Sequence, residues 1–281
     1  MKSVIVGGFK KINHPICVII PMFNFFEMIK KCVSVVLRNA GIGADILVVD
    51  DGSCTSHKDP RVNILRLEKN TGFTNAVNQG ILWCGDRYKY VHILNNDTEP
   101  EEDFLKVLYD HMEAYPSTGI AHSVRLVRVE GKEAIEMYGL DLLSGYQAIR
   151  WGWDSKDTDV IYCDWAPLCS TLIRVKMVRY IGLLDGRFKN HCSDGDYCIR
   201  ARQDGWQVTV LPTSKVGHAH QITTHHCGIE PYDDQKEYIA KIAGMQYQEL
   251  VNRVPLDYTE NIWGEITFDR IQKEGKIEGS N

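Results

Sequence analysis

Apolar residues in the first half of the chain come in short blocks separated by stripes of helical spacing. Residues 16–20 form an unbroken apolar run of strand length and predict a buried strand. Residues 25, 29, 33, 36 and 37 are all apolar, the spacing of one helix face, so 25–37 is predicted helical. The alternation repeats with strands over 45–49 and 63–67, then a helix with Phe73, Ala76, Val77 and Ile81 on one face and Thr71 or Thr74 as its cap, then a strand over 90–94. Pro100 followed by Glu101, Glu102 and Asp103 predicts another helix start, because proline suits the first turn and acids complement its positive end. Strands alternating with helices predict an α/β fold around a parallel or mostly parallel sheet.

Past residue 120 the pattern changes. Residues 120–174 are richer in β-formers and aromatics, among them Trp151, Trp153, Tyr162 and Trp165. Residues 172–174 predict a strand leading into a helix over 175–181, residues 194–203 a further helix, and 207–211 a strand. Beyond Pro231, the spacing of Ile239, Ile242, Met245 and Leu250 predicts a C-terminal helix. No repeat, low-complexity tract or linker cuts the chain, and the expectation is one continuous domain over 1–281.

Composition narrows the function classes. With 44% hydrophobic and 25% charged residues among 281, the chain has an ordinary globular composition and ample length for a core. Its net charge of −5 argues against general nucleic-acid binding, which needs a dominant basic field. The 9 cysteines show no Cys-x-x-Cys pair, as expected of reduced thiols in a cytosolic protein. Val4-Ile5-Val6 is too short for a signal peptide, and the apolar stretch from Ile16 to Phe23, interrupted by Pro21, is far short of a membrane span. A cytoplasmic protein is expected, with peripheral contact at the inner face of a membrane left open.

Acids gather where such a sheet binds ligands, in the crevice beyond the carboxyl ends of its strands. Asp50 and Asp51 follow one predicted strand, Asp97 follows another, and Asp194 and Asp196 open a predicted helix. Clustered carboxylates repel one another, so a site that collects them usually also holds a cation or a proton.

Five segments then resemble, in order, the motifs of the family 2 glycosyltransferases, which have the GT-A fold. Val18-Ile19-Ile20-Pro21-Met22-Phe23-Asn24 looks like their opening strand, and Val48-Val49-Asp50-Asp51-Gly52-Ser53 like their second-strand motif. The stretch from Asn70 through Thr71, Gly72, Phe73, Thr74, Asn75, Ala76, Val77, Asn78, Gln79 and Gly80 to Ile81 is similar to their helix-opening segment. Leu94-Asn95-Asn96-Asp97-Thr98 matches a variant of the Asp-x-Asp motif. Ser193-Asp194-Gly195-Asp196-Tyr197-Cys198-Ile199-Arg200, with Gly205-Trp206, resembles the Glu-Asp-x-Asp…Arg…Gly-aromatic segment.

The resemblance implies an inverting glycosyltransferase that moves a sugar from a UDP-, dTDP- or GDP-sugar to a hydroxyl of a sugar or lipid-linked glycan, in polysaccharide or glycoconjugate synthesis. It implies a donor half over about 14–120, an acceptor and catalytic half over about 121–230 and a helical extension over about 231–281. Donor contacts carry over to Pro21, Phe23, Asn24, Asp50, Asp51, Asn70, Gly72, Phe73, Asn75, Asn78, Asn95 and Asn96, with Asp50 or Asp51 at the base or ribose. Asp97, with His218, would hold a divalent cation, Mn or Mg, which takes oxygen ligands shared with a diphosphate. Asp194 matches the catalytic base; Asp196 is the runner-up or a support, and Arg200, four residues on, is spaced to pair with it. Trp165 and His191 are expected on the acceptor side. The chain departs from the pattern at Asn95, where other members carry Asp, and at Ser193, where Glu is usual.

Plainer readings stand beside these. Residues 50–53 and 95–98 are also turn and cap sequences, and Asp194 or Ser193 could cap a helix. Trp151, Trp153 and Trp165 suit either a sugar platform or a core. His220, His225 and His226 could add to a metal tract. Two rival functions are a sugar-1-phosphate nucleotidylyltransferase and a non-catalytic carbohydrate-binding protein on the same fold. Self-association of the chain is compatible with either reading.

Overall fold

The apolar run at residues 16–20 forms a strand buried on both faces, and this places it at the centre of the sheet. The structure is a computed structural model that describes residues 3–6, 11–129, 132–137, 140–141, 146–147, 159–218 and 234. In chain order the first elements are β1 (Ser3–Val6), β2 (Ile16–Met22), α1 (Phe26–Asn39), β3 (Asp45–Asp50), β4 (Asn63–Leu67), α2 (Phe73–Cys84), a 3-10 turn (Gly85–Arg87), β5 (Tyr90–Leu94), β6 (Thr98–Pro100) and α3 (Phe104–Ala114). There follow β7 (Thr118–Val129), β8 (Lys132–Met137), β9 (Leu140–Asp141), β10 (Tyr146–Gln147), β11 (Ile161–Cys163), β12 (Ser170–Arg174), α4 (Val175–Ile181), α5 (Ser193–Gln203) and β13 (Gln207–His218).

The main sheet runs β1-β4-β3-β2-β5-β12-β7-β13-β11, with β6 on β13 and β8 on β7. From β4 to β5 the strands are parallel; β12 then enters antiparallel to both β5 and β7, and β13 lies parallel to β7. Side chains alternate across the sheet. Cys17 and Ile19 of β2 share one cluster with Ala76, Val77 and Ile81 of α2, while Ile16, Val18 and Ile20 share the other with α1 and α3 through Ile29, Val33, Leu105 and Leu108. This two-sided cover explains why β2, β3 and β5 read as continuous apolar blocks.

Beneath the crest of β5, neutral polar groups weld four elements. Ser123 Oγ lies 2.9 Å from Ser170 Oγ and 2.8 Å from Ser214 Oγ, and Ser170 Oγ is 3.2 Å from His92 Nε2. Burial drives the His92 imidazole down to about 3, so the weld carries no charge.

Several expectations are corrected. Pro100 does not open a helix: it ends β6, paired with Val216, and α3 starts at Phe104 after Asp103 in a left-handed conformation (φ 60). No threonine caps α2; its N-cap is Gly72, with no side-chain cap bond. The strand expected over 207–211 continues to His218 through a register shift after Leu211. The predicted helix beyond Pro231, together with Trp151, Trp153, His220, His225 and His226, lies outside the described residues apart from Asp234. No helix among the described residues is long and apolar enough to cross a membrane.

Candidate active site

The chain runs β2, β3, β4 outward and then returns to place β5 on the other side of β2. The strand order therefore reverses between β2 and β5, and a crevice opens beyond their carboxyl ends. The segments 21–24 and 95–97 stand at that point. Asn24 and Phe25 both take left-handed conformations, φ 60 and 51, which the surroundings must hold. Asn24 N–H donates to Ser53 Oγ at 2.7 Å, Cys54 N–H to Asn24 Oδ1 at 3.0 Å and Asp51 N–H to Met22 O at 2.8 Å. The loops after β2 and β3 are thus one unit. Pro21 and Phe23, both half-buried, flank it.

Asp50 and Asp51 lie at the end of β3, and each already has protein partners. Arg66 pairs with Asp50, and Ser53 N–H donates to Asp50 Oδ1 at 2.9 Å. Thr71 donates to Asp51 Oδ1 from its N–H at 2.9 Å and its hydroxyl at 2.7 Å, and Gly72 N–H donates to Oδ2 at 2.9 Å. Burial raises the Asp51 carboxyl above its ordinary range, the Thr71 and Gly72 donors oppose the rise, and the Asp50 charge adds to it. Asp51 thus fixes the two residues that lead into α2, while the first N–H groups of the helix itself, those of Phe73 and Thr74, find acceptors in residues 189 and 190. Asn70 stays exposed beside this turn.

After β5, Asn95 N–H donates to Cys169 O at 2.9 Å, and Thr98 Oγ1 returns a bond to Asn95 O at 2.7 Å. The tight turn buries Asn96 at 8% exposure and leaves Asp97 half-buried. β13 brings the backbone of His218 opposite Thr98, next to Asp97. The neighbouring Cys32 is pushed up to about 12, chiefly by burial and further by the Asp97 charge, so its thiol is neutral, and its Sγ donates to Asn95 O at 3.8 Å.

α5 carries the two remaining acids. Its N-cap, Cys192, is left-handed (φ 63) and makes no side-chain cap bond, so neither Ser193 nor Asp194 acts as the cap. Asp196 is 3% exposed and accepts from Arg200 Nε at 2.9 Å; Arg200 also donates to Ile181 O at 2.6 Å and Leu183 O at 2.9 Å. This group ties α5 to the end of α4. Asp194 has no such partner: no Arg or Lys among the described residues pairs with it. Burial raises its carboxyl above the ordinary carboxylate range, opposed by the Gly195 N–H at 2.8 Å, the Trp165 indole and the nearby His191. Trp165 itself is 3% exposed and bears on Asp194 from the core. His191 is half-buried; burial lowers its imidazole, and the Asp234 and Asp194 charges oppose this.

Residues 184–191 join α2 to α5. Asn78 of α2 spends both ends of its amide on Leu184, donating to its O at 2.8 Å and accepting from its N–H at 3.0 Å. Asn75 Nδ2 turns back to Thr71 O at 3.1 Å. Thr74 N–H donates to Lys189 O at 3.0 Å, and Phe73 N–H to Asn190 Oδ1 at 3.1 Å. Gly72 (φ 86) sits so close that an added Cβ would meet Lys189 O at 2.8 Å. Asn75 and Asn78, read from the sequence as donor contacts, are thus engaged in holding α2 and its neighbours. Asp234, which sequence reasoning missed, accepts from the backbone N–H groups of Lys189, Asn190 and His191. No local signal could have found it, since its partners lie more than 40 positions away.

The Asp97 carboxylate is an oxygen ligand of the type a hard divalent cation takes. Among the described residues no three His, Cys, Asp or Glu gather to hold a metal ion alone. Asp97 stands in the turn after β5 with the backbone of His218 alongside, and a hard ion such as Mg²⁺ is usually held by only one or two carboxylates, with other oxygens completing its shell.

Comparisons with known proteins bear on the family and the fold. The model of the family described as Glycosyl transferase family 2 matches residues 17–173. Glycosyltransferase GlyG of Streptococcus pneumoniae serotype 4 (strain ATCC BAA-334 / TIGR4) is 27% identical over 107 residues, covering 35% of this chain and 35% of that protein. Glycosyltransferase GlyA of the same strain is 27% identical over 112 residues, covering 37% of this chain and 16% of that protein. The chain thus spans only about a third or less of those relatives. Among solved structures, the crystal structure of GalNAc-T7 with UDP, GalNAc and Mn2+ superposes with a TM-score of 0.57 at 14% identity, covering 75% of this chain and 44% of that one. At that identity the likeness is one of fold, the GT-A fold.

Proposed function

The chain belongs to glycosyl transferase family 2, and on that premise we propose that it transfers a sugar from a nucleotide-diphosphate sugar to an acceptor hydroxyl, with inversion, using Asp194 as general base. The observation that carries the proposal is the division of labour on α5: Asp196 is neutralised by Arg200, while among the described residues no Arg or Lys pairs with Asp194, whose proton affinity is raised. A base of that kind holds the acceptor's proton better as its oxygen attacks the anomeric carbon. Trp165 and His191 hold the base in place and in its charge range, and the acceptor approaches past them.

The donor's base and ribose bind over the 21–24 and 50–53 loops, with the rigid start of α2 beside them. Asp97 and His218 would hold the divalent cation. When bound, that ion acts as a Lewis acid on the departing nucleoside diphosphate. Asn95 keeps the turn short and supplies no charge, so Asp97 is the essential ligand. A UDP-, dTDP- or GDP-sugar donor and a sugar or lipid-linked glycan acceptor suit this arrangement, and the GalNAc-T7 structure holds UDP and Mn2+.

The test is a thermal-shift screen of UDP, dTDP, GDP and CMP with and without manganese, followed by transfer assays with the nucleotide that binds. One nucleotide should raise the melting temperature, more so with manganese. Asp97→Ala should abolish the manganese increment, and EDTA should suppress transfer. Undiminished activity in EDTA rules out the cation; release of pyrophosphate in place of nucleoside diphosphate rules out glycosyl transfer.

A further inference from the structure

We infer that Asp234 is a positioning residue for this reaction, holding the hinge through which the donor-side helix α2 sets the place of Asp194. The inference rests on the transfer proposed above. Asp234 is 6% exposed, and its Oδ1 accepts from Lys189 N–H at 2.8 Å while its Oδ2 accepts from Asn190 N–H at 2.7 Å and His191 N–H at 2.8 Å. Three successive N–H groups turned onto one carboxylate make an anion-binding concavity, and such charge-assisted bonds are stronger than neutral ones.

The same three residues reach outward in both directions. Lys189 O and Asn190 Oδ1 receive the N–H groups of Thr74 and Phe73, in the first turn of α2. One residue beyond His191, Cys192 takes its left-handed conformation, and α5 then opens with Ser193 and Asp194. With its N–H groups bound to Asp234 and its carbonyl and amide oxygens bound to α2, the turn is fixed from both sides. The carboxylate of Asp194 starts from this fixed point. A ligand that presses on the start of α2 therefore bears on the base through Lys189 and Asn190, and Asp234 is the group that keeps this link stiff.

A residue that merely anchors the later chain would, when changed, lower stability and leave each folded molecule as active as before. Positioning predicts something else. Asp234→Asn keeps the volume and one acceptor but turns an NH₂ toward an N–H donor; Asp234→Glu keeps the carboxylate. Three quantities are measured on the full chain at a temperature where both variants are folded: backbone hydrogen exchange over residues 189–191, UDP binding by calorimetry with manganese, and transfer kcat normalised to the UDP stoichiometry. In Asp234→Asn, exchange at 189–191 should rise at least tenfold, UDP affinity should change less than threefold, and normalised kcat should fall at least tenfold with donor KM unchanged. Asp234→Glu should recover part of both the protection and the kcat. Unchanged exchange in Asp234→Asn overturns the clamp; faster exchange with unchanged normalised kcat overturns the positioning role. A wild-type chain that binds a nucleotide yet transfers no sugar refutes the functional reading and the positioning role with it, and the exchange data then still show whether the clamp exists.

Discussion

Gly72→Ala is the sharpest test of how α2 is joined to the segment that opens α5. Two terms add. Gly72 has φ 86 and ψ 163, a region open essentially to glycine, and forcing alanine there costs about 1–3 kcal/mol. The new Cβ would also meet Lys189 O at 2.8 Å and Lys189 C at 3.2 Å. Lys189 cannot retreat freely, because its carbonyl accepts from Thr74 N–H and its N–H is held by Asp234. Relieving the overlap costs about 1–3 kcal/mol, and a lost hydrogen bond about 1 more. The sum is roughly 3–7 kcal/mol. Gly182→Ala is the control: its φ 78 and ψ −163 lie in the same region, yet nothing stands within 4 Å of its added Cβ, so only the first term applies. Urea titrations of the two variants, fitted with a common m, should separate them by about 2–4 kcal/mol. Equal losses would refute the close approach of Gly72 to Lys189, and with it the rigid join between α2 and α5.

Other expectations follow from the division of roles on α5 and α2. Asp194→Asn should cut transfer about 10²–10⁴-fold and should raise the melting temperature at neutral pH. The sign follows from linkage: burial holds the folded carboxyl's pKa above its unfolded value, so its contribution favours folding at low pH and is lost as pH rises through the folded value. The stabilisation should therefore vanish below about pH 4, and an Asp194→Asn variant that melts lower at pH 7 would contradict it. Asp196→Ala strands a mostly buried Arg200 and should cost about 3 kcal/mol in denaturant unfolding; a neutral result would mean the pair is solvated. Asn78→Ala should lose about 2 kcal/mol while nucleotide affinity stays within about twofold. A tenfold loss of affinity at unchanged stability would return Asn78 to the donor site.

The parts of the fold that local pattern controls were legible in the sequence. β2, β3, β4 and β5 are apolar runs ended by polar turns, and α1 and α2 show their buried faces at helical spacing, because each segment's burial follows from its own residues. Pro100 misled because its helix-start signal is local, while its pairing with Val216 comes from a strand more than a hundred positions later. The roles of the site residues were less legible for the same reason. Asp50 and Asp51 stand where the motif suggested, yet their closest partners are Arg66, Thr71 and Gly72. Asn78 fits a motif, but only the fold brings Leu184 to both ends of its amide. The Asp196–Arg200 spacing was readable, since four residues make one helical turn; the tie to Ile181 and Leu183 was not.

The insertion of β12 between β5 and β7 bears on how the chain is made. β5 and β7 are close in sequence but cannot pair with each other; each waits for residues 170–174. On the ribosome, the segment carrying the 50–53 and 95–97 turns emerges with the fully buried β5 paired to β2 on one side and open on the other. Such an edge is a template for misplaced strands. The segment ahead of β12 is therefore no detachable module: a fragment ending near residue 160 should aggregate, whereas extension past β12 closes the facing edges of β5 and β7 and β13 then covers the far side of β7.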